Sequence, residues 1–121
     1  MGKSLGEFEQ LLLFALLSLP EDEAYGLPIR DEVERRTGRA VSTGAVYTAL
    51  DRLAGKGLVT SHVGEPTPMR GGRRKRLYRL EPEGAAALDR ATRVIQDMSR
   101  GLQPRLQALL AAHGPTARRD S

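Results

Sequence analysis

Six of the ten residues from 70 to 79 are basic and none is acidic. The rest of the chain has thirteen basic and fifteen acidic residues, so the net charge of +4 originates in this one segment. A positive charge focused on one part of a small domain is the electrostatic footprint of a polyanion partner. Most charge runs are solvated surface or tails, so the position of the segment in the fold has to decide its role.

Other kinds of chemistry find little support in the residues. The chain has no cysteine, which excludes disulfides and thiolate metal sites. His62 and His113 are isolated, and no glycine-rich phosphate-binding loop is present. The acidic run 21–23 is typical of a solvated loop rather than a cation site. We therefore expect no enzyme activity, no metal and no cofactor.

The chain has the size and composition of one modest globular domain, with 121 residues of which 40% are hydrophobic and 28% charged. Its longest apolar run, Leu11–Leu17, is far shorter than the roughly 20 residues that span a membrane. Glu7 and Glu9 precede that run, which makes it a poor signal peptide. These features predict a soluble cytoplasmic protein.

The first helix is predicted from Leu5 to Leu19 and is apolar nearly all round. Such a helix must be buried on more than one side, and a small domain covers only one. We expect a second chain to cover the other side, through Leu13 and Leu17. A second helix is predicted over 25–37, ended by a left-handed cap at Gly38.

A third helix is predicted to begin after the N-cap Ser42, with Val46, Leu50 and Leu53 facing inward. The glycines at 55 and 57 end it. Residues 58–63 and 73–80 are predicted to form a β-hairpin around a loop at 64–72. Its second strand places Tyr78 and Leu80 on one face, so Tyr78 is expected in the core.

A fourth helix is predicted from Pro82, with Pro104 breaking or kinking it and a short helix over 105–112 following. Its apolar residues repeat at spacings of three and four, as in a helix that packs against another helix. The residues of this seam are Leu88, Ala91, Ile95, Met98 and Leu102. The predicted divisions are a DNA-binding domain at 5–82, a C-terminal dimerisation helix at 83–112 and a flexible tail at 113–121.

Three helices followed by a hairpin predict a mainly α fold of the winged helix-turn-helix class. The third helix fits a DNA major groove, and its first turn offers free N–H groups to a phosphate. Arg52 and Lys56 are expected to continue its polar side. The candidate DNA-binding residues are Ser42, Thr43, Gly44, Tyr47, Thr48, Arg52, Arg70, Arg73, Arg74, Lys75 and Arg76. An RNA-binding protein and a winged-helix protein-interaction module remain as alternatives.

The order and spacing of these motifs resemble the PadR family of bacterial transcriptional regulators. The resemblance spans residues 5–102 and is carried by Tyr25-Gly26, by 42–53, by 56–59, and by 71–80 followed by Pro82-Glu83-Gly84. It implies a winged helix domain with a C-terminal helix that packs against the partner's first helix. It also implies a homodimer that binds double-stranded DNA at a palindromic operator, usually as a repressor.

Two departures from the family pattern limit what can be transferred. Thr48 stands where many relatives have a proline, which makes base specificity harder to carry over. The chain has no tryptophan, whereas some short relatives bind flat drugs between tryptophans at the dimer interface. The operator, the regulated genes and any small-molecule effector are not given by the sequence.

Overall fold

The computed structural model describes residues 4–64 and 74–113, which form five α-helices and one antiparallel strand pair. The mainly α fold with a β-hairpin is confirmed. In chain order the elements are α1 (Glu7–Ser18), a 3-10 turn (Glu21–Glu23), α2 (Gly26–Thr37), α3 (Thr43–Gly55), β1 (Val59–Val63), β2 (Arg76–Leu80), α4 (Pro82–Ser99) and α5 (Gln103–His113). The chain divides into two compact units, Met1–Ala91 and Thr92–Ser121.

The core of the first unit lies where α1, α2 and α3 pack against one another. Leu12 from α1, Ile29 from α2 and Leu50 from α3 are each completely buried there. Burying a side chain of this size stabilises the fold by about 1.5–3 kcal/mol. The packing therefore fixes α3 on the other two helices and leaves its remaining side to solvent.

Both predicted helix boundaries around the turn between α2 and α3 are confirmed. Gly38 follows α2 with a φ of 74°, a left-handed conformation that glycine adopts without a steric cost. The Ser42 hydroxyl accepts a hydrogen bond from the Ala45 N–H at 3.0 Å. This N-cap satisfies one of the free donors at the start of α3.

The hairpin pairs β1 with β2 in a register that sets Ser61 opposite Tyr78 and Val59 opposite Leu80. Tyr78 is buried and Leu80 half-buried, as their alternation predicted. β2 begins at Arg76 rather than at residue 73. Most of the loop predicted over 64–72 lies outside the described residues.

The start of α4 belongs to the first unit because it packs tightly on the end of the hairpin. A Cβ at Gly84 would overlap the carbonyl oxygen of Leu58, and Ala87 and Leu88 are buried in the core. The division between the units therefore falls after Ala91, inside α4. The domain boundary predicted from the sequence lies earlier in the chain, between residues 82 and 83.

The break after α4 is made by glycine and not by proline, which corrects the expectation for Pro104. Gly101 has a φ of 77° and lies in the turn between Ser99 and Gln103, whereas Pro104 is the second residue of α5. Proline is tolerated in a first helical turn because the N–H that it lacks has no partner there. The predicted tail is described only at His113, the last residue of α5.

Within the two described ranges, no helix combines the length and the apolar character needed to cross a membrane. In the same ranges, no group of three or more His, Asp or Glu side chains is arranged to hold a metal ion.

A buried carboxylate links the end of α1 to α2. Glu32 accepts hydrogen bonds from Arg36, from the Ser18 hydroxyl at 2.8 Å and from Arg35 at 2.8 Å. These bonds lower the pKa of Glu32 from 4.5 to about 2, and the bond from Arg36 has the largest effect on it. The ionised form is thus favoured in the folded protein.

We expect this carboxylate to make the protein acid-sensitive. Because the folded-state pKa of Glu32 is lowered, its stabilising contribution is complete above the ordinary value of 4.5 and is lost as the pH falls toward about 2. Thermal melts between about pH 6 and about pH 2.5 should show a smaller acid loss in Glu32→Gln than in the wild type. Glu21→Gln, at an exposed position in the 3-10 turn, is the control. Equal acid losses in Glu32→Gln and the wild type would contradict the assignment.

Candidate nucleic-acid interface

One side of α3 is buried and the other is exposed. Val46, Leu50 and Leu53 are fully buried, while Thr48 and Arg52, one turn apart, are exposed. Gly44 and Ala45 extend the exposed side to the first turn, where no side chain is bulky. A helix with such a face can enter a major groove and bring hydroxyl and guanidinium groups to base edges.

The N-terminal end of α3 carries a basic neighbour that the sequence reasoning missed. Thr43 is half-buried, and its hydroxyl accepts a hydrogen bond of 3.5 Å from the Arg30 guanidinium of α2. Arg30 also forms an ion pair of 2.9 Å with Asp31. A guanidinium beside free N–H groups and the positive helix end favours an anion. In the sequence, the only indication of this contact is that a basic residue occurs in the helix preceding α3.

Tyr47 lies where α3 meets the start of α2. A Cβ at Gly26 would overlap the Tyr47 ring, so only glycine permits this approach of the two helices. The Tyr47 ring centroid is 6.4 Å from that of Tyr78, and the side chain is half-buried. Both the ring and the hydroxyl of Tyr47 therefore pack against Gly26.

Tyr78 joins the hairpin to both helices. Its hydroxyl donates to the Asp51 carboxylate of α3 at 3.3 Å, and its backbone N–H donates to the Ala24 carbonyl at 2.8 Å. Burial, followed by the charge of Asp51, raises the pKa of Tyr78 to about 12, so the phenol remains a neutral donor. Tyr78 is a core residue, as predicted, and its ring is not exposed for base stacking.

The basic segment divides into residues with different surroundings. Arg74 is exposed, and Arg76 is exposed with its guanidinium donating to the Ser61 hydroxyl across the hairpin at 3.1 Å. Lys75 is half-buried, and its Nζ lies 5.0 Å from the centroid of the Tyr25 ring. Arg70 and Arg73 fall outside the described residues.

Lys56 does not continue the polar side of α3, contrary to expectation. Its ammonium group pairs with the buried Glu9 carboxylate of α1 at 3.2 Å and donates to the Ser4 carbonyl at 3.4 Å. The lysine therefore compensates a buried charge and fastens the end of α3 to α1. Arg52 remains exposed.

The predicted dimer residues differ in accessibility. Leu13 is 0% exposed and Leu88 is 4% exposed, so both side chains belong to the core of the first unit. They are therefore not included among the proposed dimer contacts. On α1, the exposed leucine is Leu17, accompanied by Phe14. Ala91, at the end of the first unit, is half-buried.

The second unit exposes many large apolar side chains. Ile95, Met98 and Leu102 of the predicted seam are 63%, 73% and 54% exposed. The others are Val94, Leu106, Leu109 and Leu110. Exposed apolar side chains in this number are typical of an interaction site in a soluble protein.

The comparisons with known proteins point to one class of regulator. Residues 15–90 match the model of the transcriptional regulator PadR-like family. Transcriptional regulator Rv3488 of Mycobacterium tuberculosis is 34% identical over 80 residues, which cover 66% of this chain and 70% of that protein.

Solved structures show the same fold. The structure of RosR from H. salinarum is 25% identical with a TM-score of 0.62, covering 92% of this chain and 94% of that one. A PadR-like transcriptional regulator from Bacillus cereus, 19% identical, has a TM-score of 0.64 and covers 83% and 91% of the two chains. At that identity the second likeness concerns the fold alone.

Proposed function

Since the chain belongs to the PadR-like family of transcriptional regulators, we propose that it binds a palindromic DNA operator as a homodimer and represses transcription. Members of this family are regulators rather than enzymes. The proposal places the protein in the cytoplasm, where a bacterial chromosome is accessible.

One observation carries the proposal: the exposed face of α3 and the basic strand β2 are fastened to one another. The two hydrogen bonds of Tyr78, to Asp51 and to Ala24, connect the strand to α3 and to the segment that precedes α2. A helix that enters a groove and a basic hairpin that follows the adjacent backbone must keep a fixed relation to bind one DNA site.

The roles in DNA binding follow from residue chemistry. We assign base reading to Thr43, Thr48 and Arg52, since hydroxyl and guanidinium groups bond to base edges. Ser42, Gly44 and Tyr47 are assigned to the DNA backbone near the start of α3. The basic segment supplies phosphate or minor-groove contacts through its arginines Arg70, Arg73, Arg74 and Arg76.

The dimer is proposed from the apolar surfaces of each unit. Leu17 on α1 and Ile95, Met98 and Leu102 in the second unit are large, apolar and exposed. Covering them with a second chain removes apolar area from water, which is favourable by roughly 25 cal/mol per Å². A two-fold dimer also presents two copies of α3 to half-sites spaced about 34–36 Å apart, or a multiple of that.

The aromatic residues do not support the alternative hypothesis of an RNA-binding protein. Single-stranded RNA is bound by stacking bases on exposed aromatic rings. Tyr78 is buried, and Tyr25 and Tyr47 are half-buried against other parts of the chain. Both phenylalanines belong to α1, and the exposed one, Phe14, is therefore on neither α3 nor the basic segment. A protein-interaction module would use the same scaffold without duplex binding.

Selection of duplexes from a random pool tests the proposal as a whole. We expect enrichment of a palindrome, because two identical copies of α3 read two identical half-sites. In Thr48→Ala the preference should relax at particular positions of that palindrome, by about 0.5–1.5 kcal/mol for each lost hydrogen bond to a base. Absence of any enriched sequence would favour the interaction module.

The basic segment is expected to supply salt-dependent affinity that does not depend on sequence. Replacing Arg74 and Arg76 with alanine should weaken binding to all duplexes and lower the slope of log K against log salt by roughly one unit per lost phosphate contact. Arg100→Ala removes the same type of charge from an exposed position in the second unit and serves as the control. An unchanged slope in the double variant would exclude the two arginines as phosphate ligands.

The dimer is expected to depend on the exposed apolar residues of α4. Ile95 is 63% exposed, so Ile95→Glu can fold, but it would place a charge in the proposed interface. Sedimentation over a range of concentrations should show monomer for Ile95→Glu. Gln96→Glu, a change at the neighbouring exposed position, should retain the dimer. If Ile95→Glu sediments as the wild type does, the interface lies elsewhere.

A further inference from the structure

We infer that Tyr25 positions the wing, the hairpin of residues 59–80, for DNA binding by holding the ammonium group of Lys75 against its ring; this rests on the proposed function. The Lys75 Nζ is 5.0 Å from the centroid of the Tyr25 ring. A cation within about 6 Å of an aromatic centroid is attracted by the negative face of the ring. Lys75 is then a positioning residue rather than a phosphate ligand.

Tyr25 is suited to this role because its backbone is fixed. Its N–H donates to the Glu23 carbonyl at 2.9 Å, and its own carbonyl accepts the first hydrogen bond of α2, from Ile29 at 3.1 Å. The residue is the N-cap of α2 and adjoins Gly26, against which the Tyr47 ring packs. The ring therefore extends from the junction between α2 and α3, the two helices that the wing must follow.

Lys75 lies at the basic end of the described part of the wing. Its carbonyl accepts a hydrogen bond of 2.7 Å from the Gly64 N–H, next to the paired strands. Successive residues of an extended chain point to opposite faces, so a side chain held at 75 also sets the direction of its neighbours Arg74 and Arg76. Those neighbours are exposed, whereas Lys75 is half-buried.

The wing needs a second attachment for a physical reason. The backbone bond from Tyr78 to Ala24 fixes β2 near its middle, three residues away from Lys75. A two-stranded hairpin has little stability of its own, so a single bond near the middle of β2 fixes the direction of its first residues only weakly. The contact between Lys75 and Tyr25 adds a point of attachment closer to the basic residues.

Two roles of Lys75 predict opposite effects of removing the ring. If Lys75 has to leave Tyr25 to reach a phosphate, the ring competes with DNA, and Tyr25→Leu binds DNA as tightly as the wild type or more tightly. If the contact orients the wing, Tyr25→Leu binds more weakly although every basic residue is still present. Tyr25→Phe keeps the ring face and should bind as the wild type does.

The experiment measures duplex affinity and salt slope for the full-length wild type, Tyr25→Phe, Tyr25→Leu, Lys75→Met and the Leu/Met double variant. We expect a loss of roughly threefold to tenfold in Tyr25→Leu and a similar loss in Lys75→Met. The double variant should be no weaker than the weaker single variant, because both changes remove one contact. Thermal melts identify any variant that has lost its fold. If Tyr25→Leu has lost it, the salt slope of Lys75→Met decides: the slope is unchanged for a positioning residue and lower by roughly one unit for a phosphate ligand.

A spectroscopic measurement on the protein without DNA tests the contact itself. The ε-methylene protons of Lys75 should be shifted upfield by the ring current in the wild type and in Tyr25→Phe, and should return to ordinary values in Tyr25→Leu. Unshifted protons in the wild type would overturn the inference, and so would a DNA affinity of Tyr25→Leu equal to or higher than that of the wild type. In both cases the proposed function would stand as long as the wild type binds its operator. A wild type that binds no duplex would overturn the proposed function and the inference together.

Discussion

The hydrogen bond between the Tyr78 N–H and the Ala24 carbonyl is the constraint on which the proposed interface depends. It attaches β2 to the chain immediately before α2, at 2.8 Å, and the Tyr78 hydroxyl extends the attachment to Asp51 on α3. Tyr78 and Ala24 are both buried, so the backbone bond between them is kept away from competing water, whereas Asp51 is exposed. Without the two bonds the basic strand and the exposed face of α3 would be two separate polar surfaces.

Charge in the first unit is divided between internal pairs and exposed groups. Glu32 is compensated by Arg35 and Arg36 of its own helix, and Glu9 by Lys56, which joins the end of α3 to α1. Arg52, Arg74 and Arg76 are exposed on α3 and in the basic segment. The polyanion surface is therefore smaller than the count of basic residues suggests, and it coincides with the elements proposed to touch DNA.

The apolar residues show a similar division. Leu12 and Leu13 of α1 are buried within the chain, whereas Leu17 on the same helix is 61% exposed. In the second unit, Leu106, Leu109 and Leu110 of α5 are exposed, and so are Ile95 and Met98 of α4. Exposed apolar side chains are costly in water, which is the physical basis for proposing that a second copy of the chain covers them.

The sequence by itself determined the features that depend on neighbouring residues. The Ser42 cap, the left-handed Gly38, the alternation that buries Tyr78 and the order of helices and hairpin all follow from local backbone chemistry and periodicity. These were sufficient to predict the fold class and to identify α3 and the basic segment as the candidate interface. The family resemblance, confirmed by the match over residues 15–90, rests on the same local motifs.

Only the tertiary structure decided which side chains meet across the chain. Leu13 is buried in the core of the first unit, and Arg30 contacts Thr43. Lys75 contacts the Tyr25 ring, whereas the neighbouring Arg74 and Arg76 are exposed. The turn after α4 is formed at Gly101, whereas Pro104 lies in the first turn of α5 and does not interrupt that helix. Contacts between residues distant in sequence depend on how whole elements pack, and local periodicity carries no information about that packing.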